Sequence, residues 1–164
     1  MTALQDRDIS GLAVVYEQTK RGVFASAYAI LRDRSAAEDV MQETYVKVAE
    51  GIDGYRPGSN AAAWIVTIAR NLALREYNKR KHLVPLDGVE ETRSYSDDND
   101  GVFLSATLSV LDMRERQAVI LHVYDGFKHK EIARIMEIPL GTELWIYNKA
   151  IKKLKTHFEK EGRN

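Results

Sequence analysis

Hydrophobic positions in this chain recur at helical spacing, in blocks separated by turn-forming residues, and no stretch alternates persuasively as a strand would. The strongest block runs from Asn60 to about Lys81. Trp64, Ile65, Ile68 and Leu72 fall at i, i+1, i+4 and i+8 there, an apolar arc that must face a core. Asn60 follows Pro57, Gly58 and Ser59 and is a good N-cap, and Ala61 to Ala63 favour helix formation. Thr67, Arg70, Asn71, Asn78 and Lys81 share another arc, to which Arg75, Lys79 and Arg80 add charge. Cations complement the helix C-terminus. Five basic residues against the single acid Glu76 exceed that local need and suggest a polyanion nearby.

The blocks around it read in the same way. A first helix is expected from about Asp8 to Leu31, with Ile9, Leu12, Val15, Tyr16, Val23, Ala27, Tyr28 and Leu31 inward and a bend at Gly22. Ser35-x-x-Glu38 has the form of a capping box and opens a second helix, with Met41, Tyr45 and Val48 inward, supported by Val40 and Thr44. Its other face carries Asp39, Gln42, Glu43, Val46 and Glu50. On spacing alone a solvated acidic surface is the favoured reading of that face. Gly51, Asp53, Gly54, Pro57, Gly58 and Ser59 then make a loop.

Residues 84–101 have no helical period and hold one proline and two glycines, so they mark a boundary. Beyond it, Val102 to Val110 reads as a short apolar helix, and Asp112-Met-Arg-Glu115 as a capping box opening the next. That helix points Val119, Ile120, Val123 and Tyr124 inward and ends at Asp125-Gly126. His129 to Met136 is a short helix burying Ile132, Ala133 and Met136. A turn over Glu137 to Gly141 follows, and Thr142 caps a last helix reaching about Phe158. Short helix, tight turn and longer basic helix make a helix-turn-helix. The expected fold is all-α: two small helical domains, 1–83 and 102–164, joined by a flexible acidic linker over 84–101.

Composition sharpens that division. The formal net charge is zero, yet residues 1–83 carry 12 basic and 10 acidic side chains, and residues 102–164 carry 11 and 8. Between them Arg93 stands against Asp87, Glu90, Glu91, Asp97, Asp98 and Asp100. Cysteine is absent, which excludes disulfides and thiolate metal sites and fits a reducing compartment. No export signal and no run of eighteen apolar residues stands in the chain, so a cytoplasmic protein without membrane insertion is expected. His82, His122, His129 and His157 lack metal-ligand spacing, and no glycine-rich phosphate loop follows a strand. No enzyme and no cofactor is expected.

Ala37 to Thr44 together with the 60–81 helix resemble the second conserved region of bacterial sigma factors of the extracytoplasmic-function group. Gly126-Phe-Lys-His-Lys-Glu-Ile-Ala-Arg-Ile-Met-Glu-Ile-Pro-Leu-Gly-Thr resembles their fourth region. The pairing, in the right order and across a linker, covers most of the chain. The resemblance implies a factor that binds core RNA polymerase and directs promoter recognition and opening. In the family the Asp-x-x-Gln-Glu stretch docks on the largest polymerase subunits, which assigns polymerase binding to Asp39, Gln42 and Glu43, with Val46 on the same face.

In similar proteins the loop that here runs from Glu50 to Asn60 pockets a flipped base of the melted promoter, and Tyr55, Arg56 and Asn60 are the candidates for that role. Arg70, Asn71, Lys79, Arg80 and Lys81 are candidates for DNA phosphate. Lys128, Lys130, Thr142, Trp145, Asn148, Lys149 and Lys152 are the candidates near an upstream promoter element. The linker of the family threads the polymerase near the RNA path, and a solvated spacer is the equal alternative. An anti-sigma protein is a further candidate partner.

The resemblance breaks at Arg75, where the family often has an aspartate, and at three places in the helix-turn-helix motif. Glu137 stands where a turn glycine is common, Glu143 where a valine packs inward, and Ile146 where a basic residue faces DNA. In the family register Glu143 would be buried. A rotated register instead buries Leu144, Tyr147, Ile151 and Leu154 and leaves Glu143 as an exposed first-turn acid; this second register is expected, because it strands no charge. Loss of a cation at Ile146 motivates an alternative function, a sigma-like negative effector that binds polymerase or a partner without productive promoter recognition.

Overall fold

The computed structural model describes residues 9–83, 104, 107 and 109–163, with the side chains of Ile9, Ser10 and Leu83 left aside. The chain divides into two compact units, Met1–Leu86 and Asp87–Asn164, and no strand occurs among the described residues. The expected linker, 84–101, lies wholly outside those residues. Leu104, Thr107, Ser109 and Val110 of the expected 102–110 helix are helical, with Leu104 and Thr107 buried.

The first unit is a three-helix arrangement in which α1 (Ile9–Leu31), α2 (Arg34–Gly51) and α3 (Ala61–Leu83) each pack on the other two. Helix α1 runs unbroken through Gly22 and buries Val15, Val23, Ala27 and Tyr28. Helix α2 begins earlier than its sequence suggests. Asp33, extended at φ −132° and ψ 118°, is the N-cap and accepts a hydrogen bond from the Ala36 N–H at 3.2 Å. Ser35 therefore lies inside the helix, and Glu38 pairs with Arg34 at 3.0 Å instead of closing a capping box. An aspartate one position before a basic residue outcompeted the serine because it too reaches an orphan N–H and also carries charge.

Helix α3 is capped as expected: Asn60 Oδ1 accepts from the Ala63 N–H at 3.2 Å. Ile65 and Leu72 are buried, and Val66, Ala69 and Ala73 widen the arc. Tyr45 hydroxyl and Thr19 hydroxyl lie 2.7 Å apart inside this unit. Burial pushes the Tyr45 phenol up to about 12, against the opposing effect of that hydrogen bond.

In the second unit α4 (Met113–Val119) opens on the expected capping box, in which Asp112 and Glu115 exchange two 3.0 Å hydrogen bonds. It continues as a wider π turn over Ile120–Tyr124, closed by the Asp125 N–H on the Ile120 carbonyl at 3.1 Å. The wider turn swings Val123 outward, so that it is 50% exposed and not part of the core expected of it.

Helix α5 (His129–Met136) ends at Glu137, whose backbone is left-handed with φ 56° and ψ 44°. The Ile138 N–H reaches back to the Ala133 carbonyl at 3.0 Å, the Schellman closure that this conformation permits. Helix α6 (Leu140–Glu161) starts after Pro139, two residues before the expected cap at Thr142, because proline cannot extend the preceding helix and is well placed before a new one.

Two expectations follow. A non-glycine residue in the left-handed region costs roughly 1–2 kcal/mol. Glu137→Gly should therefore raise the unfolding free energy of the second unit by about 0.5–1 kcal/mol after the entropy of glycine is subtracted, as read by urea denaturation. For Tyr45 the sign is that of a raised acid: its contribution is intact below about pH 10 and is lost as pH rises towards the folded value of about 12. Unfolding of the first unit should become easier across that alkaline window, and Tyr45→Phe should flatten the dependence.

Candidate polymerase and nucleic-acid interfaces

Helix α2 separates its two faces cleanly. Ala37, Val40, Thr44, Tyr45 and Val48 are buried, while Asp39, Gln42, Glu43, Val46 and Glu50 are all exposed. The four candidate polymerase contacts thus form one ridge, with Val46 as an exposed apolar group beside two carboxylates. The structure brings them together as their spacing requires.

The loop candidates fare differently. The 3₁₀ turn Ile52–Gly54 buries Ile52 and delivers Tyr55 into the unit, where it is only 6% exposed. Its hydroxyl donates to the Ser59 carbonyl at 2.8 Å, and its ring lies 5.1 Å from that of Trp64. Tyr55 is therefore a pillar of the loop, not an open stacking surface; its aromatic ring found more apolar contact inside than a solvent-facing pocket provides. Arg56 and Asn60 are exposed, though the Asn60 oxygen is committed to its cap.

Along α3, Asn71, Lys79 and Lys81 are exposed and Arg70 is half-buried. Arg80 belongs to a different network. It donates to Asp33 and Glu76, both at 2.9 Å, and ties the end of α3 to the start of α2. The guanidinium holds the Asp33 carboxyl below the usual carboxylate range, desolvation opposing it and the Ala36 N–H adding to it. Both partners are half exposed, so the pair contributes little stability but directs Arg80 away from a free phosphate role.

In the second unit Trp145 is 64% exposed, with the Lys149 ammonium 4.9 Å from its ring centroid. Asn148 and Lys152 are exposed on the same helix, Lys128 and Lys130 are exposed at the start of α5, and Thr142 is half-buried. Lys149 also lies 3.6 Å from the buried Glu115, which receives Lys153 at 2.9 Å. These lysines bind α6 to α4 as well as charging its surface.

The rotated register is wrong. Helix α6 buries Glu143, Ile146, Ala150 and Leu154, with Ala150 and Leu154 packed against Leu111 and Val119. Leu144 lies at the surface, and Tyr147 and Ile151 flank the core. Glu143 has no exposed surface, but it is not stranded: both carboxylate oxygens accept from His129 Nδ1, at 2.9 and 3.1 Å. Ile146 is 4% exposed, so it removes no cation from the outward face of α6 in this protein. The motive for a negative effector goes with it.

Sequence reasoning missed this assembly. His129 also stacks on His122, with centroids 4.3 Å apart, and Tyr147 sets its edge against both rings. His122 Nδ1 lies 2.9 Å from the Phe127 carbonyl. His129 and Glu143 lie fourteen positions apart, a spacing with no periodic signature. Ile146→Arg should accordingly bury a guanidinium, destabilise the second unit by several kcal/mol and bring no gain in DNA affinity; thermal unfolding and a duplex titration on the same sample check both.

Comparison with known proteins accords with this division. Residues 15–83 match the family model for sigma-70 region 2, and residues 104–142 that for sigma-70 region 4, which ends just before Glu143. The chain is 32% identical to the ECF RNA polymerase sigma factor EcfG of Rhodopseudomonas palustris, over 84% of this chain and 80% of that protein. It is 27% identical to the sigma factor CarQ of Myxococcus xanthus, over 77% of this chain and 76% of that one.

In architecture it is similar to the sigma factor RpoE of Bartonella quintana, solved with the anti-sigma factor NepR. That likeness has a TM-score of 0.76 at 23% identity and covers 92% of this chain and 98% of that one. It is also similar to CnrH, solved with the cytosolic domain of CnrY, at a TM-score of 0.72 and 16% identity over 97% and 94% of the two chains. No helix among the described residues is long and apolar enough to cross a membrane. The chain belongs to the extracytoplasmic-function sigma factors, the proteins that direct bacterial RNA polymerase to promoters.

Proposed function

We propose that this sigma factor docks on core polymerase through the α2 ridge of Asp39, Gln42, Glu43 and Val46, and divides promoter recognition between its two units. The observation that carries the reading is the isolation of that ridge. Three side chains at the spacing of the family's docking stretch, and Val46 beside them, are all exposed, and none of them is needed for the buried face of the same helix. Carboxylates around one apolar group suit a basic partner surface with a small apolar contact at its centre, where steering and specificity come from charge.

Promoter opening falls to the loop before α3 and to α3 itself. Tyr55 holds the loop from inside, and Arg56 and Asn60 stand at its surface for an extruded base. Asn71, Lys79 and Lys81 supply a cationic track for the backbone, which gives affinity without sequence. The upstream element falls to α6, whose outward side offers Trp145, Asn148, Lys149 and Lys152, with Lys128 and Lys130 at the start of α5 for flanking phosphate. A similar sigma factor solved with an anti-sigma factor supports a partner of that class here as well.

Charge reversal tests the docking. Asp39→Lys with Glu43→Lys should weaken association with core polymerase by at least tenfold, since like charges would face the partner's basic surface. The far-ultraviolet circular dichroism should remain that of the wild type, because neither residue is buried. Wild-type affinity in the double variant would remove the α2 ridge from the interface.

A further inference from the structure

The α6 sequence offers two stripes for burial. One is Glu143, Ile146, Ala150 and Leu154; the other is Leu144, Tyr147, Ile151 and Leu154, which is more apolar and contains no acid. Their centres lie about 75° apart on a helix of 3.6 residues per turn. The structure takes the first stripe, although it places a carboxylate with no exposed surface in the core. The contact that makes this arrangement tolerable is the one to His129.

We propose that the His129–Glu143 pair is a positioning device, which fixes the rotation of α6 and so decides which side chains it offers to upstream DNA. The proposal rests on the reading of α6 as the upstream recognition helix. Three neighbouring elements hold the pair. His129 from α5 donates to Glu143 of α6. Its ring is stacked on His122 of the π turn, at an interplanar angle of 18°, and His122 is itself hydrogen-bonded at the Phe127 carbonyl. Tyr147, one turn along α6, closes the assembly edge-on to both imidazoles. A histidine fixed on two sides presents Nδ1 at one angle only. The carboxylate that receives it sets α6 about its axis, with Trp145 and Lys149 turned outward.

Removing one partner is not equivalent to removing both. Without the His129 ring a buried carboxylate lacks its donor, and the escape open to α6 is rotation towards the all-apolar stripe, which returns Glu143 to water. That rotation would replace the outward face. With valine at 143 there is no carboxylate to strand, and the first stripe stands without His129.

The test uses the full chain in four forms: wild type, His129→Ala, Glu143→Val and the double variant. Amide hydrogen exchange over residues 143–154 reads the seating of α6, and selection from a randomised duplex pool reads its sequence preference. His129→Ala should lower protection by on the order of a hundredfold or more and change or abolish the selected sequence. The double variant should recover protection to within about threefold of Glu143→Val, with the wild-type preference restored.

If His129→Ala and the double variant are equally unprotected, His129 acts by packing alone and the proposal fails; it fails too if His129→Ala changes neither readout. Should protection follow the expected pattern while no form, wild type included, selects any sequence, the pair does seat α6 and the reading of α6 as an upstream reader is what falls.

Discussion

The buried carboxylate of Glu143 is the constraint on which the second unit depends. A charge without solvent must find a donor, and the donor here is a histidine already braced by a second histidine and a tyrosine. From that single requirement follow the inward placement of Ile146 and Ala150 and the outward placement of Trp145 and Lys149. Glu115 repeats the device on α4, where its Oε2 accepts from the Asp112 N–H of the capping box and from Lys153 of α6. Two buried acids, each paired with a side chain of a neighbouring element, make the seating of the helix specific where apolar packing alone would allow alternatives.

The first unit uses the reverse arrangement. Among its described residues no acid is buried, and the α2 ridge takes no part in the buried face of its helix. The network of Arg80 with Asp33 and Glu76 shows the difference between a charge that holds helices together and one that is available to a partner. The same distinction separates Tyr55, which supports the loop, from Arg56 at its surface.

Element type and order were legible in the sequence because periodicity and caps agree along most of the chain. Asn60 and the Asp112–Glu115 box both stand where local chemistry puts them. The α2 ridge was legible for the same reason, since one helix fixes its own faces. What failed depended on contacts between distant residues. Glu143 seemed safer outside because its donor lies on another helix, and Tyr55 seemed open because its partners, Ser59 and Trp64, meet it only in the folded loop. Asp33 displaced Ser35 as the cap through a local competition that a motif search does not rank.

Run-off transcription on genomic DNA with core polymerase from the same cell tests the central claim most directly. A sigma factor built in this way should convert the core enzyme into one that makes a small set of discrete transcripts from defined start sites. Stable binding of the chain to core polymerase without any discrete transcript would contradict it.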